Sequence, residues 1–225
     1  MAIKAAIFDM FETLVTLFVG RTYFGEDIGA DAGVDPEAFR KAWHETEYDR
    51  STGKLTIEEG IAKGLKTFGI DDPDLVKTIA SHRMDNLKDT FDNIPDDSEK
   101  LLIELRKRGI KVGLITNTFS DERDMIRACK LFKYFDATRI SYEQGVCKPD
   151  TSMYKSIMEE FGVKPEECLY VGDGGSRELF VARELGMKAV QATWFHDLAF
   201  EPHIPCPLLD EFPQAKNQLN ILEYL

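Results

Sequence analysis

Short apolar runs alternate with longer amphipathic stretches in the second half of the chain, and one such run stands at its start. The run 5–8 is continuous and ends on Asp9, as expected for a strand buried on both faces of a parallel sheet. Further runs predict strands of the same kind at 111–115, 137–141, 168–171 and 188–192.

Amphipathic spacing between these runs predicts helices at 97–108, 121–130, 150–161 and 177–185. In the first of them, Leu101, Leu102 and Leu105 share one face, and Gly109 is placed to end the helix. Strands that alternate with helices are typical of a parallel sheet covered by helices on both faces. The sequence therefore predicts an α/β fold with a doubly wound parallel-sheet core.

The stretch between the first two predicted strands has helix signals and no convincing strand. Asp35 before Pro36 is a typical helix start, and Thr56 with Glu59 has the spacing of a capping box. Ligands of open parallel sheets bind at the carboxyl ends of the strands, so helices inserted after the first strand are placed to cover that site. We predict a helical cap at 16–89 and a core formed by 1–15 and 90–225.

Charge and composition limit the partners. The chain has 40 acidic and 28 basic residues and a net charge of −12, whereas nucleic-acid binding depends on surplus Lys and Arg. No apolar stretch approaches the ~18 residues of a membrane span, and the start carries no secretory segment. We expect a cytoplasmic protein without nucleic-acid or membrane partners, as a monomer or homodimer. The four cysteines form no CxxC pair.

Polar residues stand at the carboxyl ends of four predicted strands. Asp9 follows the first, Thr116 and Asn117 follow the second, Lys148 comes after the third, and Asp173 follows the fourth. Because these strand ends share one edge of a parallel sheet, the side chains are expected to meet in one crevice.

These residue types suit nucleophilic chemistry on a small anionic substrate. The Asp9 carboxylate can attack an electrophile and form an ester or acyl phosphate. Lys148 would keep Asp9 ionised beside another carboxylate and stabilise developing negative charge. Thr116 can donate a hydrogen bond to the transferred group. Asp173 and Asp9 could together hold a hard cation such as Mg²⁺.

The polar strand ends belong to four short segments. They read Phe-Asp-Met-Phe-Glu-Thr-Leu at 8–14, Ile-Thr-Asn at 115–117, Cys-Lys-Pro-Asp at 147–150 and Val-Gly-Asp-Gly-Gly-Ser-Arg-Glu at 171–178. This series resembles the four motifs of the haloacid dehalogenase superfamily, and the resemblance covers essentially the whole chain, including the cap. It implies a Rossmann-like core and a hydrolase that forms a covalent intermediate.

The resemblance also implies roles for these residues. Asp9 is the nucleophile, Thr116 and Lys148 bind the transferred group, and Asp173 is the acidic residue of a Mg²⁺ site. Glu178 matches a second acidic position of the last motif, with a solvated residue in the first turn of the following helix as the alternative.

Two further positions have expected contacts. Phe11 would offer its backbone carbonyl to the metal, since that ligand does not depend on the side chain, and it would also line the substrate site. Asn117 is a candidate substrate-binding residue.

Position 11 departs from the phosphatase pattern. Phosphatases of the superfamily usually carry a second Asp there, which protonates the leaving alcohol, and loss of such an acid costs about 10²–10⁴ in rate. The haloacid dehalogenases have an aromatic residue there and use no metal, because a halide leaves without a proton. Phe11 therefore favours dehalogenation, whereas Asp173 favours phosphoester hydrolysis.

We give Asp173 more weight, because a metal-site carboxylate has little purpose in a dehalogenase. The favoured function is a Mg²⁺-dependent phosphohydrolase acting on a small phosphorylated metabolite. A metal-free 2-haloacid dehalogenase and a catalytically weak binding or regulatory protein are the alternatives.

Other candidates surround the crevice. Glu12, where the family usually has Gly, is expected to be a surface carboxylate, with a replacement acid as the alternative. His196 is a candidate for lining the crevice. Candidates in the cap for substrate selection are Arg21, Tyr23, Arg40, Trp43, His44, Tyr48 and Arg50.

Overall fold

A computed structural model describes residues 2–20, 22–198 and 207–225. Its strands are β1 (Ala5–Phe8), β2 (Lys111–Thr116), β3 (Ala137–Ile140), β4 (Cys168–Gly172), β5 (Lys188–Ala192) and β6 (Gln214–Ala215). They form one six-stranded sheet in the order β3-β2-β1-β4-β5-β6, and all pairings are parallel. The predicted α/β fold with a doubly wound parallel sheet is confirmed. The two-residue strand β6 was not predicted, because it has no apolar run to reveal it.

The described residues also form α-helices. They are α1 (Gly25–Asp31), α2 (Pro36–Glu45), α3 (Glu47–Ser51), α4 (Ile57–Lys66), α5 (Pro73–Asp92), α6 (Asp96–Lys107), α7 (Ser120–Ala128), α8 (Ser141–Gln144), α9 (Thr151–Phe161) and α10 (Glu178–Glu184). The predicted starts of α2 and α4 are confirmed, because Asp35 accepts a hydrogen bond from Ala38 N and Thr56 forms a capping box with Glu59. Among the described residues, no helix combines the length and apolar character that a membrane crossing requires.

Strand β1 lies at the centre of the sheet and is fully buried. Successive side chains of a strand point to opposite faces. Ala6 and Phe8 therefore enter one apolar core, and Ala5 and Ile7 enter the other. Burial on both faces explains why the sequence here is continuously apolar rather than alternating.

Helices α1–α5 lie between β1 and α6 in the chain, and α1, α2, α4 and α5 pack around a separate apolar cluster. Its buried members are Tyr23, Ile28, Phe39, Ile57, Ile61, Leu65, Val76 and Ile79. Phe39 stacks on Trp43 and Phe68 at ring-centroid distances of 6.3 and 6.0 Å. We call α1–α5 the cap helices.

Polar contacts join the cap helices to α7 of the core. Arg83 of α5 donates to Asp121 over 2.6 Å and also to Glu122, and all three side chains are at most 8% exposed. The amide of Ile57, at the start of α4, donates to Ser120 Oγ over 2.9 Å. Buried ion pairs tolerate little displacement, because separating them leaves charges without partners.

A backbone approach joins α3 to α8. Gly53 adopts φ +73°, and a Cβ there would lie 2.4 Å from the carbonyl oxygen of Tyr142. Gly69 has a similar φ of +75°, but a Cβ there meets nothing within 4 Å. The two glycines therefore differ in whether a side chain would push against the core.

This difference can be tested with two alanine substitutions. Gly69→Ala should reduce the free energy of unfolding by about 1–2 kcal/mol, because only the left-handed backbone disfavours alanine. Gly53→Ala should cost about 1–3 kcal/mol more, because its methyl group also overpacks against Tyr142. Urea unfolding measures both values, and equal losses would contradict the close approach of α3 to α8.

Candidate active site

The strand ends bring the predicted polar residues together. The amide of Asp9 donates to Val171 O over 2.9 Å, which extends the β1–β4 pairing by one residue and fixes Asp9 beside the end of β4. Thr116 ends β2 and is fully buried. Asp173 directly follows β4, and its carboxylate is close enough to Asp9 for their charges to interact.

Lys148 lies between two buried carboxylates. Its Nζ is 2.8 Å from Asp9 Oδ1 and 2.5 Å from Glu178 Oε2. Burial alone lowers the pKa of Lys148, but the attraction of Asp9 and Glu178 outweighs it and raises the pKa above its ordinary value. Burial raises the pKa of Asp9, an effect that Lys148 opposes and Asp173 reinforces. The ammonium group of Lys148 thus offsets charge that the site could not otherwise bury.

Glu178 is fully buried, so the alternative that it is a solvated residue is wrong. Besides Lys148, it accepts hydrogen bonds from Tyr170 OH over 2.9 Å and from Gly174 N over 3.2 Å. Burial raises its pKa well above the ordinary value, although Lys148 opposes the shift. A Cβ at Gly172 would lie 1.8 Å from Glu178 Oε1, so the glycine provides the space that admits this carboxylate. Sequence reasoning missed Tyr170 and the packing role of Gly172.

The loop after β4 holds Asp173. Its Oδ1 accepts from Gly175 N over 3.0 Å, and its carbonyl accepts from Gln191 Nε2 over 2.7 Å. Ser176 and Arg177 follow with φ of 50° and 55°. Left-handed backbone costs roughly 1–2 kcal/mol per non-glycine residue and is concentrated at functional sites. The strained backbone of Ser176 and Arg177 therefore lies in the loop that holds Asp173.

Asn117 connects the strand-end loops. Its Oδ1 accepts from Lys148 N over 2.7 Å. Its Nδ2 lies 3.3 Å from both Lys148 O and Ser176 Oγ. The Asn117 side chain is thus engaged in fixing the backbone of Lys148, a positioning role that the sequence did not reveal.

Phe11 is partly buried and packs edge-on against Phe91, near the end of α5, with ring centroids 6.2 Å apart. The same loop closes on itself, because Met10 O accepts from Leu14 N over 2.8 Å. Trp194 Nε1 donates to Thr13 O over 2.9 Å. The Phe11 ring thus helps to seat the end of the cap helices on the core.

Glu12 is only 3% exposed, so the expectation that it is a surface carboxylate is wrong. Its carboxylate accepts from residues that follow it in the chain, namely from Thr16 Oγ1 over 2.7 Å and from Leu17 N over 2.9 Å. Burial raises the pKa of Glu12 to about 7. The residue has φ 53°, a conformation that glycine adopts without strain.

A small cavity of about 10 Å³ lies beside the carboxylates. It is lined by Glu12, Asp173, Gln191, Ala192, Phe195 and His196. This volume is close to the minimum that holds one water molecule. His196, a sequence candidate for the crevice, lies on its wall.

The cap candidates have different environments. Arg21 lies outside the described residues. Tyr23 and Trp43 pack with the apolar cluster of the cap helices. Arg40, His44 and Tyr48 lie at the surface. Arg40 pairs with Glu37 and His44 pairs with Glu47, whereas Tyr48 is 56% exposed. Arg50 is 1% exposed.

The site offers the kind of ligand atoms that a hard cation binds. Within the described residues, Asp9, Asp173 and Glu178 each offer a carboxylate oxygen, and these oxygens lie within 4.8 Å of one another. Oxygen ligands of this kind suit Mg²⁺. Because Glu178 already accepts from Lys148, Tyr170 and Gly174, Asp9 and Asp173 are the better ligands of the three.

Comparison with known proteins identifies the class. A family model for haloacid dehalogenase-like hydrolases matches residues 3–186, so the chain belongs to that family and is a hydrolase. It is also 36% identical over 95 residues to a phosphoserine phosphatase of Thermus thermophilus. The match covers 42% of this chain and 38% of that protein, so the chain spans less than half of the relative's length.

Solved structures share the fold. One is a haloacid dehalogenase family enzyme from Bacteroides thetaiotaomicron in a magnesium complex, with a TM-score of 0.66, 21% identity and coverage of 85% of this chain and 93% of that one. Another is the L-2-haloacid dehalogenase of Xanthobacter autotrophicus, with a TM-score of 0.61, 18% identity and coverage of 98% and 97%. The predicted superfamily is confirmed.

The role of Lys148 as counter-charge can be tested by stability. Lys148→Met leaves Asp9 and Glu178 buried without their cation, which should reduce the free energy of unfolding by about 3–5 kcal/mol. The control is Lys155→Met, which removes the same charge from an exposed position of α9 and should change little.

The loss should also depend on pH. In Lys148→Met the pKa values of the two carboxylates are raised in the folded state, so stability is retained at low pH and lost as pH rises through those values. The difference from the unmodified chain should therefore be smaller at pH 5 than at pH 8, measured by urea unfolding with a chelator present. A loss that is the same at both pH values would refute the counter-charge role.

Proposed function

We propose that this hydrolase is a Mg²⁺-dependent phosphohydrolase that acts on a small phosphorylated metabolite through a phosphoryl group carried covalently on Asp9. The observation that carries the proposal is the position of Asp173 beside Asp9, with Lys148 bound to the same nucleophile. A second carboxylate raises the negative charge that the site must bury. A bound cation would offset that charge, and together with Lys148 it would attract an anionic substrate.

In the first step an oxygen of Asp9 attacks phosphorus, and the bond between phosphorus and the leaving oxygen breaks. Lys148 orients Asp9 and offsets the charge of the transferred group. Among the described residues, the Thr116 hydroxyl makes only a 3.4 Å contact with Asn117 O, so it is available to donate to a phosphoryl oxygen. The leaving oxygen takes its proton from solvent, because Phe11 has none to give. Mg²⁺, when bound by Asp9, Asp173 and the Phe11 carbonyl, supplies positive charge.

In the second step water attacks phosphorus and breaks its bond to Asp9. Inorganic phosphate leaves, and the Asp9 carboxylate is regenerated. The phosphoserine phosphatase among the relatives and the magnesium complex among the solved structures support this chemistry without specifying the substrate. An acyl phosphate, whose leaving group needs no proton, suits the site best.

One observation favours a second candidate. The aromatic Phe11 matches the haloacid dehalogenases, whose halide leaves without a proton and without a metal. A catalytically weak protein that binds phosphorylated ligands is a third outcome of the same experiment.

A side-by-side turnover screen of phosphoesters, acyl phosphates and 2-haloacids, with and without Mg²⁺, decides among these functions. We expect phosphate release that requires Mg²⁺ and falls by more than about 10³ in Asp9→Asn, which keeps the shape of the nucleophile and removes its charge. Asp124→Asn changes an exposed carboxylate of α7 and should retain full activity. Halide release without metal would replace the proposal by the dehalogenase function.

Metal binding can be followed without turnover. Calorimetry should show Mg²⁺ binding that disappears in Asp173→Ala and persists in Asp124→Asn. No detectable binding up to tens of millimolar Mg²⁺ would exclude the metal-dependent reaction.

Replacing Phe11 tests the missing proton donor. Phe11→Asp should raise the turnover of an alkyl phosphate by up to about 10², because that leaving group needs a proton. An aryl phosphate should gain much less, because its leaving group departs as a stable anion. Both Phe11→Asp and the control Phe11→Asn lose the contact with Phe91, but only the former gains an acid. An alkyl-to-aryl ratio that is the same in both variants would contradict the proton-donor argument.

A further inference from the structure

Glu178 is a buried carboxylate whose two oxygens both accept hydrogen bonds. Its Oε2 accepts from Lys148 Nζ over 2.5 Å and from Tyr170 OH over 2.9 Å. Its Oε1 accepts from Gly174 N over 3.2 Å. If the carboxylate moved, these donors would lose an acceptor, which is costly for buried groups. The three hydrogen bonds therefore hold Glu178 in one position.

The hydroxyl of Tyr170 reaches Glu178 from within the protein core. Tyr170 belongs to β4, is fully buried, and packs in the apolar core that Ala5 and Ile7 enter. A hydroxyl in such surroundings is unfavourable unless it finds a hydrogen-bond partner. Phenylalanine would fill nearly the same volume without that cost. The hydrogen bond to Glu178 therefore explains why a tyrosine stands here.

Glu178 is close enough to the other carboxylates to bind the same metal ion. Oxygens of Asp9, Asp173 and Glu178 lie within 4.8 Å of one another. Mg²⁺ is usually held by one or two carboxylates, together with water and substrate phosphate. A third carboxylate would take a coordination position from the substrate and add negative charge beside an anionic group. It would also draw Glu178 away from Lys148.

We propose that Tyr170 is a positioning residue that holds Glu178 against Lys148 and so keeps this carboxylate out of the coordination shell of the metal. The proposal rests on the proposed function for the binding of Mg²⁺ by Asp9 and Asp173. Tyr170 acts through Glu178 and contacts neither the metal nor the substrate. Its hydroxyl thereby leaves a coordination position for a phosphoryl oxygen and fixes Lys148 beside the nucleophile.

Mg²⁺ calorimetry on Tyr170→Phe tests the proposal. The substitution removes only the hydroxyl, so Glu178 loses one of its three donors and can turn toward the metal. Mg²⁺ should then bind about threefold or more tightly than to the unmodified chain, whereas phosphoester turnover should fall about tenfold because Lys148 is less well fixed. A merely structural defect would weaken both, so the opposite signs identify the positioning role.

Tyr154→Phe is the matched control. Tyr154 lies in α9 and is equally buried, and its ring centroid is 5.3 Å from that of Tyr170. Among the described residues its hydroxyl makes no hydrogen bond to Glu178. The control therefore removes a buried hydroxyl from the same core without releasing the carboxylate. Both the affinity for Mg²⁺ and the turnover should match those of the unmodified chain.

A second pair of variants leaves Tyr170 in place. Glu178→Gln and Asp173→Asn each replace a buried carboxylate by an amide of the same shape. Mg²⁺ binding should remain measurable in Glu178→Gln, although the loss of a nearby negative charge weakens it, and should disappear in Asp173→Asn. Loss of binding in both variants would show that Glu178 is a metal ligand and would overturn the proposal.

Combining the substitutions shows which group causes the gain in affinity. In the Glu178→Gln background, Tyr170→Phe should no longer tighten Mg²⁺ binding, because no carboxylate is left to turn toward the metal. A gain of the same size in both backgrounds would mean that Tyr170 does not act through Glu178.

Failure of this proposal and failure of the proposed function give different results. If Mg²⁺ binds the unmodified chain and binds Tyr170→Phe equally or more weakly, the positioning role is wrong and the proposed function stands. If Tyr170→Phe gains affinity but neither chain hydrolyses a phosphoester, the proposed function fails and the control of Glu178 by Tyr170 stands. If neither chain binds Mg²⁺, both proposals are wrong.

Discussion

The ammonium group of Lys148 is the interaction on which the active site depends. Burial of Asp9, Asp173 and Glu178 at one sheet edge concentrates negative charge that water no longer solvates, and Lys148 contacts two of the three carboxylates directly. The surrounding structure serves this arrangement. Gly172 leaves room for Glu178, and Asn117 fixes the backbone that carries the lysine. One ammonium group among three carboxylates leaves the site with surplus negative charge, which is the condition under which a cation would bind there.

The segment 116–122 connects the chemistry to the cap helices. It begins with Thr116 at the strand end and continues with Phe119, which stacks on Arg50. It ends with the acidic pair that binds Arg83. One short stretch of backbone thus carries Thr116 of the candidate active site, the ring that contacts Arg50 and the acidic partners of Arg83. A shift of the cap helices cannot leave this segment unaffected, which couples the position of the cap helices to that of Thr116.

The sequence predicted the sheet and the convergence of the strand-end residues, because burial on both faces and the shared edge of parallel strands follow from local patterns. It did not predict the environments of Glu12 and Glu178. The burial of these carboxylates depends on contacts that no spacing rule specifies. Glu12 accepts from the Leu17 amide, and Glu178 accepts from the Tyr170 hydroxyl. Strand β6 escaped prediction because its pairing with β5, rather than its own composition, makes it a strand.

The central position of β1 has a consequence for how the chain folds. Ala5 pairs with Lys111 on one side and with Cys168 on the other, so both neighbours of the first strand come from much later in the chain. Closing such long loops is slow, because the entropy lost is recovered only when the distant partner docks. During synthesis the apolar strand that leads to Asp9 emerges well before either partner and stays unpaired until β2 has been made. The segment that leads to Asp9 is therefore exposed to aggregation before folding is complete, and chaperone binding to a nascent chain should concentrate there.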